Sequence, residues 1–277
     1  MKLKIDDCDE RMLEREVRVS MKFNGRNVHI SPSAKLGSNV RVGDNTVIYD
    51  GVEIGDDSII CNDAVLGEPL NDYYHDTAYQ NPPLIIGARA LIRSHSIIYA
   101  GSTIGNDFSA GHRVTIRENT TIGEHCSLGT LSDIEGYARL GNYCRLHSNV
   151  HISQTSSLDD FVFMYPFSVM TNDPYPPSSD FRGGHIDSYT QVGVHAVILP
   201  GVHIGENCLI GAGSVVSKAL PAFSLAKGDP ARVVMDVRKY VAMGKGKPYP
   251  WMNRFDRGMP WEGIGFDAWR RQQAAES

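Results

Sequence analysis

The 277-residue sequence holds no apolar run long enough to span a bilayer, and its start, Met1-Lys2-Leu3-Lys4-Ile5-Asp6-Asp7, lacks the apolar stretch of a signal peptide. A cytoplasmic protein with no membrane partner is therefore expected. Cysteine is sparse: Cys8, Cys61, Cys126, Cys144 and Cys208 form no Cys-x-x-Cys pair, and an odd count in a non-secreted chain argues against a disulfide framework. A nucleotidyltransferase fused to the coil is not expected, because residues 1–27 are too short for a Gly-rich nucleotide-binding domain. Positive charge is also scarce, with a net charge of −5, and what surplus exists is local: Lys218 to Ser277 is the basic end of an acidic body. That distribution argues against nucleic acid as a partner and suits a small polyanionic ligand.

What is present is a repeat. Small aliphatic residues recur at every sixth position from Ile30 through Leu36, Val42, Ile48, Ile54 and Ile60 to Leu66. The phase breaks, resumes at Ile86 and runs without a miss to Met170, then returns from Ile186 to Val216. A period of six suits neither an amphipathic helix nor an alternating strand. It is the signature of a coil whose short strands meet at corners, three hexads to a turn. Gly87, Gly105, Gly123 and Gly141 fall eighteen apart, each just after an aliphatic, where a corner calls for little side chain or positive φ. The hexads make just over nine turns, a prism roughly 43 Å tall at ~4.8 Å per strand. The side carrying these glycines is called the first; the second and third follow in chain order.

Three segments are expected: a lead-in at 1–27, a β-helix at 28–218 and a capping segment at 219–277 holding Trp251, Trp261 and Trp269. Two loops, at about 67–84 and 171–185, leave after the third side and rejoin on the first, so both project from one edge. Long polar and aromatic loops on a rigid scaffold are usually functional. Cys126, Cys144 and Cys208 share one inward position and are expected in the core.

The hexads, ending in Gly228-Asp229-Pro230-Ala231-Arg232, resemble the left-handed β-helix acyltransferase superfamily from Val28 to Arg232. Gly111-His112-Arg113-Val114-Thr115-Ile116-Arg117-Glu118-Asn119, Thr130-Leu131-Ser132-Asp133-Ile134 and Thr171-Asn172-Asp173-Pro174 resemble its nucleotide-sugar N-acyltransferases. The tail Tyr249-Pro250-Trp251 with Arg257-Gly258-Met259-Pro260-Trp261 is similar to the branch acting on dTDP-4-amino-4,6-dideoxyglucose in anthrose-type sugar synthesis. The resemblance implies an all-β, left-handed parallel β-helix, a homotrimer with sites between subunits, and acyl-CoA as cosubstrate, with no metal. It puts pantetheine around Gly193, Ala196, Gly211 and Ser214, and the CoA phosphates near Lys218, Lys227 and Arg232. The local charge surplus suits those phosphates independently.

Amide formation from a thioester needs a neutral amine, donors for the oxyanion and a proton acceptor. Corner positions after Ile92, Ala110, Leu128 and Leu146 carry Arg93 and Ser94, then Gly111 and His112, Gly129 and Thr130, and His147. Arg117 and Glu118 follow Ile116, and Asp133 and His151 also face outward. His112, Glu118, Asp133 and His147 are the catalytic candidates. Arg93, Ser94, Arg117, Asn172 and Asp173 are the candidates for holding the sugar nucleotide. In the anthrose-like branch the resemblance implies that the CoA sulfur can take the amine proton, with His112, Glu118 and Asp133 positioning the sugar. Two other classes compete: a non-catalytic structural subunit, and a γ-carbonic-anhydrase-like zinc enzyme using His147 and His151, whose spacing of four differs from the five of that class. Three polar prism faces also call for closed symmetry. Light scattering should give a trimer of about 90 kDa, and a monomeric mass would remove the basis for intersubunit sites.

Overall fold

The computed structural model describes residues 23, 25–241 and 246–276. Most of the expected lead-in, with Cys8, lies outside the described residues. The chain winds into a left-handed parallel β-helix with three sheets, of nine strands on the first side, eleven on the second and ten on the third. Nearly every strand is two residues long, an outward residue followed by the repeat aliphatic, as in Thr115–Ile116 and Asp133–Ile134. Outside the insertions and the last turn, partners are eighteen residues apart: Thr115 pairs Asp133 and Asp133 pairs His151. The coil runs past the expected nine turns. Leu220 bridges to Ile204, and Ser224–Gly228 pairs in parallel with Leu209–Ile210, so a further turn forms without the hexad signature.

The repeat aliphatics fill the axis and are almost all buried. Ile30 and Leu36 remain exposed, because the first turn has no turn beneath it among the described residues. Three further inward columns, one after each side, carry small polar residues that bond to the next turn's carbonyls: Ser96 Oγ to Gly111 O at 3.1 Å, Ser102 Oγ to Arg117 O at 3.0 Å, Thr190 Oγ1 to Gly205 O at 2.9 Å. Cys126, Cys144 and Cys208 occupy the column of Thr190, with Sγ of Cys144 3.1 Å from Asp159 O. Burial pushes the Cys144 thiol far up and that of Cys208 to about 11, so both are inert packing groups.

The glycines just after the first-side aliphatics have a different cause from the one expected. Positive φ falls two residues later and is carried mostly by other residues, among them Asn39, Asp57, Arg89 and Tyr143. Gly87 is needed instead because turns approach closely there: a Cβ on it would lie 2.6 Å from Asn106 N. Along one corner the positive-φ residues stack once per turn, His125 on Tyr143 at 4.6 Å, Tyr143 on Phe161 at 5.1 Å and Phe161 on Tyr189 at 5.0 Å.

The two insertions leave the third side after Val65–Glu68 and Val169–Met170 and rejoin the first at Leu84–Ile86 and His185–Ile186. Both therefore spring from one edge, five turns apart. Beyond the coil, Ala231–Asp236 turns back antiparallel on Ser224–Gly228 and covers the open edge of the second sheet. The rest of the tail lies along the second face, with Trp251, Met259 and Trp261 buried against Phe161, Phe163 and Tyr189. Trp251 Nε1 donates to Tyr189 O at 2.8 Å, and Arg145 Nη2 donates to Arg257 O at 2.9 Å. The helix α1 (Phe266–Glu276) packs Phe266 and Trp269 on Trp261. Among the described residues no helix is long and apolar enough to cross a membrane.

Trp261, fully buried between tail and coil, should be the tail's main anchor. Trp261→Ala should cost about 3–5 kcal/mol in denaturant titration at unchanged m-value. A loss below about 1 kcal/mol would mean that the tail is not packed as described.

Candidate functional site

The third face is an outward ladder, one residue per turn. Val65 and Ile97 lie on one side of its centre, Val169, Val197 and Val215 on the other, and Thr115, Asp133 and His151 occupy the middle. Register alone puts Asp133 beside His151, and Asp133 Oδ2 lies 3.0 Å from His151 Nδ1. An ionised carboxylate only accepts, so Nδ1 carries the hydrogen and the lone pair of the neutral ring lies on Nε2. Both side chains are partly exposed, 34% for His151 and 42% for Asp133. The hydrogen bond to Asp133 raises the His151 pKa above its ordinary value, outweighing the opposing effect of burial.

His151 was singled out in the sequence only as an outward residue and a candidate zinc ligand; its separation of eighteen from Asp133 is the signal that marks it as a partner. His112, by contrast, is an exposed corner residue whose backbone N approaches Thr130 Oγ1 at 3.3 Å; its imidazole has no hydrogen-bond or ion-pair partner among the described residues. His147 lies flat on Tyr165, ring centroids 5.1 Å apart. The zinc reading of His147 and His151 finds no support, since they join no third ligand among the described residues and His151 is committed to Asp133.

Glu118 is buried, 7% exposed, and its carboxylate is held in two bonds by Arg117, Nε to Oε2 at 3.0 Å and Nη2 to Oε1 at 2.9 Å. Gly136 on the next turn makes room: a Cβ there would sit 2.9 Å from the Glu118 carboxyl carbon. Glu118 is thereby a clamp that aims the Arg117 guanidinium, which also lies 5.8 Å from the centre of the Tyr99 ring. Asp173 is likewise occupied by its own loop, accepting from Tyr175 N at 2.9 Å and from Ser178 N and Oγ at 2.7 Å each. The Ser178 hydroxyl, chiefly, lowers its pKa. Asn172 Nδ2 donates to Gln154 O at 3.3 Å, tying that loop to the edge of the third face. Arg93 is exposed near Cys61, and Ser94 accepts Arg113 N through its carbonyl at 3.0 Å.

The corner between second and third sides forms a track of one residue per turn: Gly111, Gly129, His147, Tyr165, Gly193 and Gly211, each N–H bonded to the next turn. Four glycines keep it shallow. From His147 to Gly211 it climbs three turns, ~14 Å. Ala196 and Ser214 turn their side chains into the coil, Ser214 Oγ accepting from Gly228 N at 3.2 Å. Lys227 flanks Gly211 and is the cross-strand partner of Arg232, while Lys218 is exposed just past the last third-side strand.

Residues 33–68 and 183–218 match the family described as bacterial transferase hexapeptide (six repeats). A Staphylococcus aureus protein provisionally named an acetyltransferase is 55% identical over 53 residues, covering 19% of this chain and 27% of the relative. The galactoside O-acetyltransferase of Escherichia coli is 31% identical over 117 residues, 34% of this chain and 58% of that one. The chain thus spans between about a quarter and three fifths of these relatives' lengths. Among solved structures, the Arabidopsis UDP-N-acetylglucosamine acyltransferase superposes with a TM-score of 0.60 at 16% identity, over 77% of this chain and 73% of that one, a likeness of fold. Repeat, coil and matches together show a left-handed β-helix built on bacterial transferase hexapeptide repeats, similar over part of its length to proteins named as acetyltransferases.

Proposed function

We propose that the protein transfers an acyl group from acyl-CoA to the amino group of a nucleotide-linked amino-deoxysugar of the dTDP-4-amino-4,6-dideoxyglucose kind. The observation that carries this reading is the Asp133–His151 pair at the centre of the third face, in the turn where the glycine-lined corner track reaches His147. A linear acyl-pantetheine fits the track, and the Lys227–Arg232 pair beside its far end suits the CoA phosphates. The acetyltransferase names of the relatives support acyl transfer; the His112, Asp133 and Asn172 segments support the amino sugar.

The amine attacks the thioester carbonyl, His151 Nε2 takes the proton released as the C–N bond forms, and the C–S bond breaks. Return of that proton to the thiolate leaves amide and free CoA thiol. Asp133 keeps the imidazole in the tautomer that can do this and stabilises its charged form. Two acceptors were open in the sequence, a histidine or the CoA sulfur; the fixed imidazole favours the histidine. Arg117, held by Glu118, is a cation for the sugar nucleotide's diphosphate. A homotrimer would bring a neighbour's face against this ladder, where the aliphatic residues on either side of the pair would be covered.

Thiol release from acetyl-CoA should require an amino sugar nucleotide from a panel of dTDP- and UDP-linked 3-amino and 4-amino sugars. No release across the panel, or equal release with hydroxyl sugars, contradicts the reading. His151→Asn should lower kcat by about 10²- to 10⁴-fold at saturating substrate, whereas His112→Asn and His147→Asn should each cost about fivefold, one neutral contact. A thousandfold loss in either of the latter, with the fold intact, would move the base away from His151.

The pH profile gives a second check. A base must be neutral, so kcat/KM should rise through an apparent pKa above 6.5, and Asp133→Asn should move that inflection down. The same raised value means that the pair's contribution to stability is complete below 6.5 and is lost as pH climbs through the folded-state pKa. An inflection unmoved by Asp133→Asn would show that another group titrates.

A further inference from the structure

On the first face, at the point where the second insertion rejoins the coil, we infer a binding site for a divalent transition-metal ion, of which zinc is the test case, formed by His185, Asp187 and His203. His185 and His203 are register partners on adjacent turns, so both rings project outward from rigid strands. Their Nε2 atoms converge on one oxygen: Asp187 Oδ1 lies 2.9 Å from His185 Nε2 and 2.7 Å from His203 Nε2. One ligand atom from each of the three lies within 4.8 Å of the others. Two imidazoles and a carboxylate are a ligand set suited to zinc and its neighbours and unsuited to calcium or magnesium.

Three further features favour a cation. Asp159 Oδ2 stands 3.7 Å from His185 Nε2, bringing a second carboxylate from the preceding turn. Among the described residues, the ion pairs of Asp159 and Asp187 are with these two histidines alone. With neutral imidazoles the cluster therefore carries two negative charges that a divalent ion balances. Ser157 Oγ lies 2.6 Å from His185 Nδ1, an outer partner that can accept from Nδ1–H once Nε2 gives up its hydrogen to ligate the ion. Ligands of a tetrahedral ion with ~2.05 Å bonds stand ~3.3 Å apart. Opening the present contacts by about half an ångström through side-chain rotation admits the ion without moving a strand.

The cluster is partly exposed, which leaves coordination positions for water or a ligand. Because His185 directly follows Gly183 and Gly184 at the end of the insertion, the ion would pin that loop's return to the turn beyond it. Nothing here depends on acyl transfer. His185 and His203 are eighteen residues apart, the coil's own repeat distance, so register brings them together.

Calorimetric titration of the EDTA-treated, full-length protein with Zn²⁺ tests the site. One equivalent per chain should bind with a Kd below about 10 µM, and His203→Asn and Asp187→Asn should each weaken it at least tenfold. His75→Asn, in the other insertion, should leave binding unchanged. Cobalt(II) substituted for zinc should give the intense visible bands of a low-symmetry nitrogen–oxygen site, lost in His203→Asn. Binding that survives both His203→Asn and Asp187→Asn, or no saturable uptake by the unaltered protein, would overturn the inference.

Discussion

Backbone hydrogen bonds from one turn to carbonyls seventeen positions on bring register partners eighteen apart side by side, and every column of side chains inherits its neighbours from them. Gly111 N on Leu128 O, Gly129 N on Leu146 O and His147 N on Met164 O are successive rungs of one such ladder. Because parallel strands share a register, a residue type repeated every eighteen positions becomes a stack. Aliphatics stack on the axis, Ser, Thr and Cys at the inner corners, and Tyr143, Phe161 and Tyr189 along an outer edge that the tail then covers. A one-residue slip would turn the aliphatics outward, so burial and register enforce each other.

That constraint also creates charge pairs. Lys35 meets Glu53 at 2.5 Å, Arg89 meets Asp107 at 2.6 Å and His151 meets Asp133 at 3.0 Å, all by the same one-turn step. Exposed pairs such as the first two contribute little to stability and serve mainly to select the register. The third differs in consequence. A partly buried imidazole with Nδ1 fixed has one nitrogen left for chemistry, and the carboxylate raises its affinity for a proton.

The coil was legible because its determinant is periodic. Each hexad places one aliphatic inward, and breaks of phase marked both insertions to within a few residues. The tail has no period, so its return along the second face onto Phe161, Phe163 and Tyr189 rested on tertiary contacts that spacing cannot show. The extra turn was hidden for a related reason, since Leu220 and Leu225 follow irregular intervals. At the site, the sequence showed which residues face outward but not what each one touches. Glu118 looked like a free carboxylate, yet Arg117 next to it and Gly136 one turn on bury it. Asp173 looked available, yet Ser178 five residues later occupies it. Asp133 and His151 stood in the sequence at the coil's own repeat distance, and their meeting follows from the period alone.

In the proposed mechanism, register delivers Asp133 to His151 and Asp133 acts through the imidazole. A double-mutant cycle in kcat/KM reads this directly, using Asp133→Asn, His151→Asn and the two together on one acyl-CoA and amino sugar nucleotide pair. The double variant should be no slower than His151→Asn alone, because without the imidazole Asp133 has nothing to orient. Losses that multiply, with each single effect appearing in full in the double variant, would show two independent groups and contradict it.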